Sequence, residues 1–115
     1  MKITEIKNII EKVLEDNKAI NIISINLKKK SYIADYMVIA SGTSSRHLQA
    51  LSELIVSELK KKGIGNCRIE GKDSSEWKLV DATDIIVHIF HPTKRSFYDL
   101  EKMWSEQIPK VKAVI

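Results

Sequence analysis

Ile6, Ile9, Ile10, Val13 and Leu14 recur at helical spacing behind Thr4, with charged residues filling the positions between them. Residues 4 to 16 are therefore expected to form an amphipathic helix capped by Thr4. Two β-branched, apolar segments follow, Ala19 to Leu27 and Asp35 to Ala40, on either side of the polar stretch KKKSYI, and they predict a hairpin of two strands. The second strand runs into Ser41-Gly42. From Ser44 to Lys62 the helical period returns, with Leu48, Leu51, Ile55 and Leu59 on one face, and Gly63 and Gly65 supply the stop. Three short strands are expected next: Cys67 to Glu70, Trp77 to Ala82 and Ile85 to Phe90. After Pro92, the segment Thr93 to Ser105 places Phe97, Leu100 and Trp104 at helical spacing, predicting a closing amphipathic helix. The order α-β-β-α-β-β-β-α suits the α/β class, as a mixed sheet of about five strands flanked by helices.

The last two strands differ in kind. Along Ile85 to Phe90 both alternating sets are largely apolar, so that strand is expected to be covered on both faces. In the preceding strand Trp77, Leu79 and Asp81 share one face and Lys78, Val80 and Ala82 the other, each mixing apolar and charged residues. A tryptophan beside a charge has the composition of an interaction hot spot, and it equally describes a half-buried residue at a sheet edge.

The 115 residues fit one domain, 1–115, large enough to bury a core without disulfides or metal. No apolar run approaches the roughly 20 residues needed to span a bilayer. The charged amphipathic N-terminus lacks the apolar stretch of a signal peptide, and the single cysteine, Cys67, has no internal partner, so a reduced, cytoplasmic setting is expected. Net charge is 19 − 15 = +4, with lysine triplets at 28–30 and 60–62. These read as a loop or strand end and as a helix C-terminus whose macrodipole lysines complement. A phosphate-rich partner would also reward them.

Candidate chemistry changes this picture little. Ser41 to His47, SGTSSRH, is a glycine-containing strand-to-helix turn, and Gly42, Ser44, Arg46 and His47 make it a candidate anion-binding turn. A tight turn with an N-cap explains the same residues. Nucleotidyltransferases place a similar turn before paired metal-binding carboxylates, but no Asp-x-Asp occurs in this chain. His88 belongs to an apolar strand and His91 lies just past its end, so they need not converge with Asp81 and Asp84 on a metal. His88 reads as a structural histidine, Cys67 as a small buried hydrophobe, and Asp81 and Asp84 equally as turn residues. Neither a catalytic residue, a metal ligand nor a cofactor is expected.

Longer stretches say more. ADYMVIASGTSSRHLQAL and EGKDSSEWKLVDATDIIVHIFHPTKRSFYDLEKMW, with their separation, closely resemble the ribosomal silencing factor family, also called Iojap-like proteins. The resemblance covers Ala19 to Trp104. Its most specific pieces are Asp35-Tyr36, Ser41-Gly42-Thr43-Ser44 with Arg46-His47, Glu70-Gly71, Trp77-x-Leu79-x-Asp81, Val87-His88-Ile89-Phe90 and Arg95-x-Phe97-Tyr98-x-Leu100-Glu101-x-x-Trp104. The chain departs from the family pattern at Ala82-Thr83, where an aromatic and a glycine are usual, and at Met37, where phenylalanine is common.

The resemblance implies a nucleotidyltransferase-like fold without the activity. It also implies a job: binding the large ribosomal subunit, through large-subunit ribosomal protein fourteen on the intersubunit face, so that the small subunit is not joined when nutrients are scarce. On that reading Glu70, Glu76, Trp77, Leu79 and Asp81 form the partner-binding surface. Trp77 is then an apolar anchor dispensable for folding, and Lys78, on the other face, a bystander. Contact with rRNA is secondary, and an exposed Trp77-Leu79 patch would be masked in the free protein by weak, symmetric self-association. The alternatives are a metal-dependent nucleotidyltransferase, or an RNA-binding protein of large-subunit assembly.

Overall fold

The computed structural model describes residues 2–28, 34–71, 74 and 76–92. It contains α1 (Ile3–Asp16), β1 (Ile20–Asn26), β2 (Tyr36–Ser41), α2 (Ser45–Lys61), β3 (Arg68–Glu70), β4 (Trp77–Asp81) and β5 (Ile85–Phe90). These are the expected elements in the expected order, with ends moved by a residue or two. The closing helix expected over 93–105, with Phe97, Leu100 and Trp104, lies outside the described residues. At α1 the cap differs from expectation: the helix starts before Thr4, and Lys2 occupies the N-cap without a side-chain hydrogen bond. Ser44 does cap α2, its hydroxyl accepting from His47 N–H at 3.1 Å.

The strands form one sheet in the order β1-β2-β5-β4-β3. β1 and β2 make the expected antiparallel hairpin, β2 and β5 run parallel, and β5-β4 and β4-β3 are antiparallel. The long apolar strand thus sits at the centre, and all six residues of β5 are buried. This is what two apolar faces require.

Both helices cover the same face. Ile10 and Leu14 from α1, with Leu48, Leu51, Ile55 and Leu59 from α2, pack on Val38, Ala40, Val80, Ile85, Val87 and Ile89. Each Val, Leu or Ile side chain of this layer taken out of water contributes about 1.5–3 kcal/mol, so the layer is a main source of stability. On the opposite face Ile25, Leu27, Met37, Ile39 and Phe90 form one cluster, and Ala34, Leu79 and Ile86 another. Trp77 packs against both.

The β4–β5 turn carries a strained residue. Thr83 has φ of +69°, the left-handed region that a β-branched side chain avoids. Its N–H donates to Asp81 Oδ1 at 2.9 Å, and Asp84 N–H to the Ala82 carbonyl at 2.9 Å. These bonds hold a left-handed backbone shape that suits glycine better than threonine. Thr83→Gly is accordingly expected to raise stability by about 1 kcal/mol, less than the full left-handed penalty because glycine loses more entropy on folding. Urea unfolding would test this, and an unchanged or lower midpoint would count against strain at Thr83.

Candidate interaction surface

β4 is the second strand from one edge, paired on one side with the three-residue edge strand β3. Its register sets Arg68 opposite Asp81 and Glu70 opposite Leu79, so these four side chains share a face with Trp77. On the other side of β4, Leu79 lies opposite His88 and Trp77 opposite Phe90. Four of the five residues expected to form a surface, Glu70, Trp77, Leu79 and Asp81, therefore meet on the sheet face away from α1 and α2. Glu76 lies just before β4 and is exposed, as is Glu70.

The face is less open than its sequence implies. Leu79 is 9% exposed and belongs to the cluster with Ala34 and Ile86, so the free protein presents little of it. The apolar patch expected to drive self-association is correspondingly smaller. Trp77 is half-buried, held on three sides. Its backbone N–H donates to Ser74 Oγ at 3.1 Å. Its indole N–H donates to His88 Nδ1 at 3.2 Å. Against its six-membered ring lies Gly71, where an added Cβ would come within 2.7 Å of Cε3 and 2.8 Å of Cζ3. Trp77 therefore takes part in the fold as well as facing the expected surface, matching the half-buried alternative. Gly71 also has φ of +77°, so Gly71→Ala meets both backbone strain and the indole. It is expected to cost about 2 kcal/mol and to shift the tryptophan emission, and a wild-type melt with unchanged emission would contradict this packing.

Lys78 lies on the other face, as the alternation predicts, and that face is covered. Its side chain faces the helix side and is 2% exposed, with its ammonium donating to the Gly71 carbonyl at 2.8 Å. A buried cation needs such partners, because removing it from water is costly. The period-two pattern places Lys78 on the other face correctly but carries no signal that this face is covered. Asp81, by contrast, is partly exposed, and Arg68 Nη2 approaches it at 3.3 Å. That pair is solvent-screened, so it trims the acid's charge more than it stabilises the sheet.

His88 occupies the centre of this face. It is 2% exposed and stacks on Phe90, ring centroids 5.6 Å apart. Its Nε2 is buried with no hydrogen-bond partner among the described residues. Burial pushes its pKa down to about 4, so the ring is neutral at neutral pH. Burial, and then the Asp81 charge, push the Cys67 thiol up, the opposite of what a nucleophile requires.

The Ser41 to His47 turn is tied into the fold by its own groups. Gly42 N–H donates to the Phe90 carbonyl at 3.0 Å and Thr43 N–H to His47 Nδ1 at 2.9 Å. His47 Nε2 meets the Asn17 carbonyl at 2.8 Å, joining the start of α2 to the end of α1. An anion at this turn would compete with the Thr43 and His47 amide bonds. At Gly42 a Cβ would lie 2.7 Å from Leu48 Cδ2, a packing reason for glycine. Among the described residues, no three His, Cys, Asp or Glu side chains gather to hold a metal ion, and no helix is long and apolar enough to cross a membrane.

These features define a mixed α/β protein with the described helices on one face of its sheet and, on the other, Glu70, Asp81 and Arg68 beside a wedged tryptophan. Residues 1–114 match the profile of the RsfS family, described as ribosomal silencing factor during starvation. A ribosomal silencing factor of Zymomonas mobilis is 48% identical over 91 residues, covering 79% of this chain and 68% of that protein. A crystal structure of a Chromobacterium violaceum protein superposes with a TM-score of 0.87 at 37% identity, covering 93% of this chain and 89% of that one. A mouse protein named for mitochondrial assembly of the ribosomal large subunit is 36% identical over 96 residues, covering 81% of this chain and 42% of that protein. The chain belongs to the ribosomal silencing factor family, RsfS.

Proposed function

We propose that this protein binds the large ribosomal subunit and, by occupying a surface the small subunit needs, keeps the two from joining. The partner on that reading is large-subunit ribosomal protein fourteen on the intersubunit face, and the effect is repression of translation when nutrients are limiting. The observation that carries the proposal is the family match over residues 1–114. The sheet face fits the role physically. Glu70, Glu76 and Asp81 are acids able to meet basic side chains of a ribosomal protein, around the apolar ring of Trp77, with Leu79 packed behind. The net charge of +4 eases approach to an rRNA-rich particle, while the specific contact is protein to protein. The action is steric and non-catalytic, takes place in the cytoplasm, and leaves the free protein at most weakly dimeric.

Co-sedimentation with separated subunits tests this directly. The protein should pellet with the large subunit and not the small one, and should reduce joining when both are mixed. Pelleting with both alike, or with neither, would overturn it. The name of the mouse relative favours a second reading, a role in large-subunit assembly. In that case binding would follow precursor particles, and if rRNA carried the contact it would fall steeply with salt.

A further inference from the structure

The position of His88 is unusual for its surroundings. The strand reads Ile-Ile-Val-His-Ile-Phe and is buried throughout, so an apolar residue would fill the site without a polar atom to satisfy. His88 leaves Nε2 buried without a partner among the described residues. Such a group costs stability. Among the described residues, the one hydrogen bond the ring makes is with the Trp77 indole, at 3.2 Å, and accepting at Nδ1 fixes the Nε2–H tautomer. The indole N–H is the only polar atom of the Trp77 side chain. With Gly71 against its six-membered ring and His88 holding its N–H, the ring is trapped in one orientation before any partner arrives. An anchor ordered in advance loses less entropy on binding.

We propose that His88 is a positioning residue for the docking face: it takes up the indole N–H, so that Trp77 offers its partner an apolar ring edge alone. The matching partner surface is then an aliphatic pocket with no hydrogen-bond acceptor for the indole, rimmed by cationic side chains facing Glu70 and Glu76. The proposal rests on the reading of this face as the ribosome-binding surface.

A double-mutant cycle on binding to isolated large subunits separates positioning from packing. Trp77→Phe, which keeps an apolar ring and removes the N–H, should bind within about fivefold of wild type. His88→Leu, which strands the N–H, should weaken binding about tenfold or more. In the Trp77→Phe background the same His88→Leu change should cost less than about twofold, because there is no N–H left to hold. A packing defect would carry over undiminished, so equal losses in the two backgrounds overturn the proposal. The indole N–H resonance of Trp77, assigned with the Trp77→Phe variant, should exchange slowly with solvent in wild type and quickly in His88→Leu; equal protection also overturns it. If His88→Leu does not fold, His88→Asn stands in. Its side-chain oxygen accepts near the place of Nδ1 and should preserve binding within about threefold, and a folded His88→Asn protein that lost binding tenfold would refute the role. Wild-type protein that bound neither subunit would remove the ribosomal reading and this claim together. Normal wild-type binding with a flat cycle removes this claim alone.

Discussion

Trp77→Ala is expected to lower the stability of the free protein by about 3 kcal/mol, toward the lower end for buried aromatic truncations because the ring is only half-buried. The loss comes from contacts with both apolar clusters on that face and from the His88 hydrogen bond, whose acceptor would be left buried and unpaired. The same change is expected to weaken binding to the large subunit by at least about 2 kcal/mol, or roughly thirtyfold, if the ring is the anchor of the interface. Two measurements on one protein separate the effects: urea unfolding for stability, and binding per folded molecule for docking. A variant that unfolds early yet binds normally when folded would make this a core face and not a docking face. One that keeps wild-type stability would contradict the packing described for Gly71, Trp77 and His88. Asp81→Lys adds an electrostatic arm and should weaken binding more than Asp81→Ala, through like charges placed together.

Acid is the second large perturbation. Burial lowers the His88 pKa from its ordinary 6.5 to about 4. Between those values the unfolded chain takes up a proton at this residue and the folded chain does not, so protonation favours unfolding. Stability from this source is intact above about pH 6.5, falls as the pH drops below it, and levels off once the folded form also protonates near pH 4. The shift corresponds to about 3 kcal/mol across that window. Carboxylates also titrate at the acid end, so the comparison is with His88→Asn, which lacks the group. Wild type should lose about 2–3 kcal/mol more than the variant between pH 7.5 and pH 4.5. Parallel loss in the two proteins would show that His88 is not held neutral by burial.

Local pattern and tertiary contact contributed to different parts of this protein. Periodicity placed both described helices and all five strands, since a period of two or 3.6 records which side chains must leave water, whatever they later meet. It identified β5 as buried on both faces and set Trp77, Leu79 and Asp81 on one side of β4. The motifs spanning Ala19 to Trp104 identified the family without coordinates. Sheet order was not legible: nothing local tells β2 to pair in parallel with β5, 49 positions later in the register of Tyr36 with Ile85. Nor was the burial of Lys78, because alternation names a face and not what covers it. The contact of Gly71 with the Trp77 ring and the bond from the indole to His88 depend on chain segments brought together by folding. They join residues up to 11 positions apart across neighbouring strands, and they decide how much of Trp77 the molecule offers to a partner.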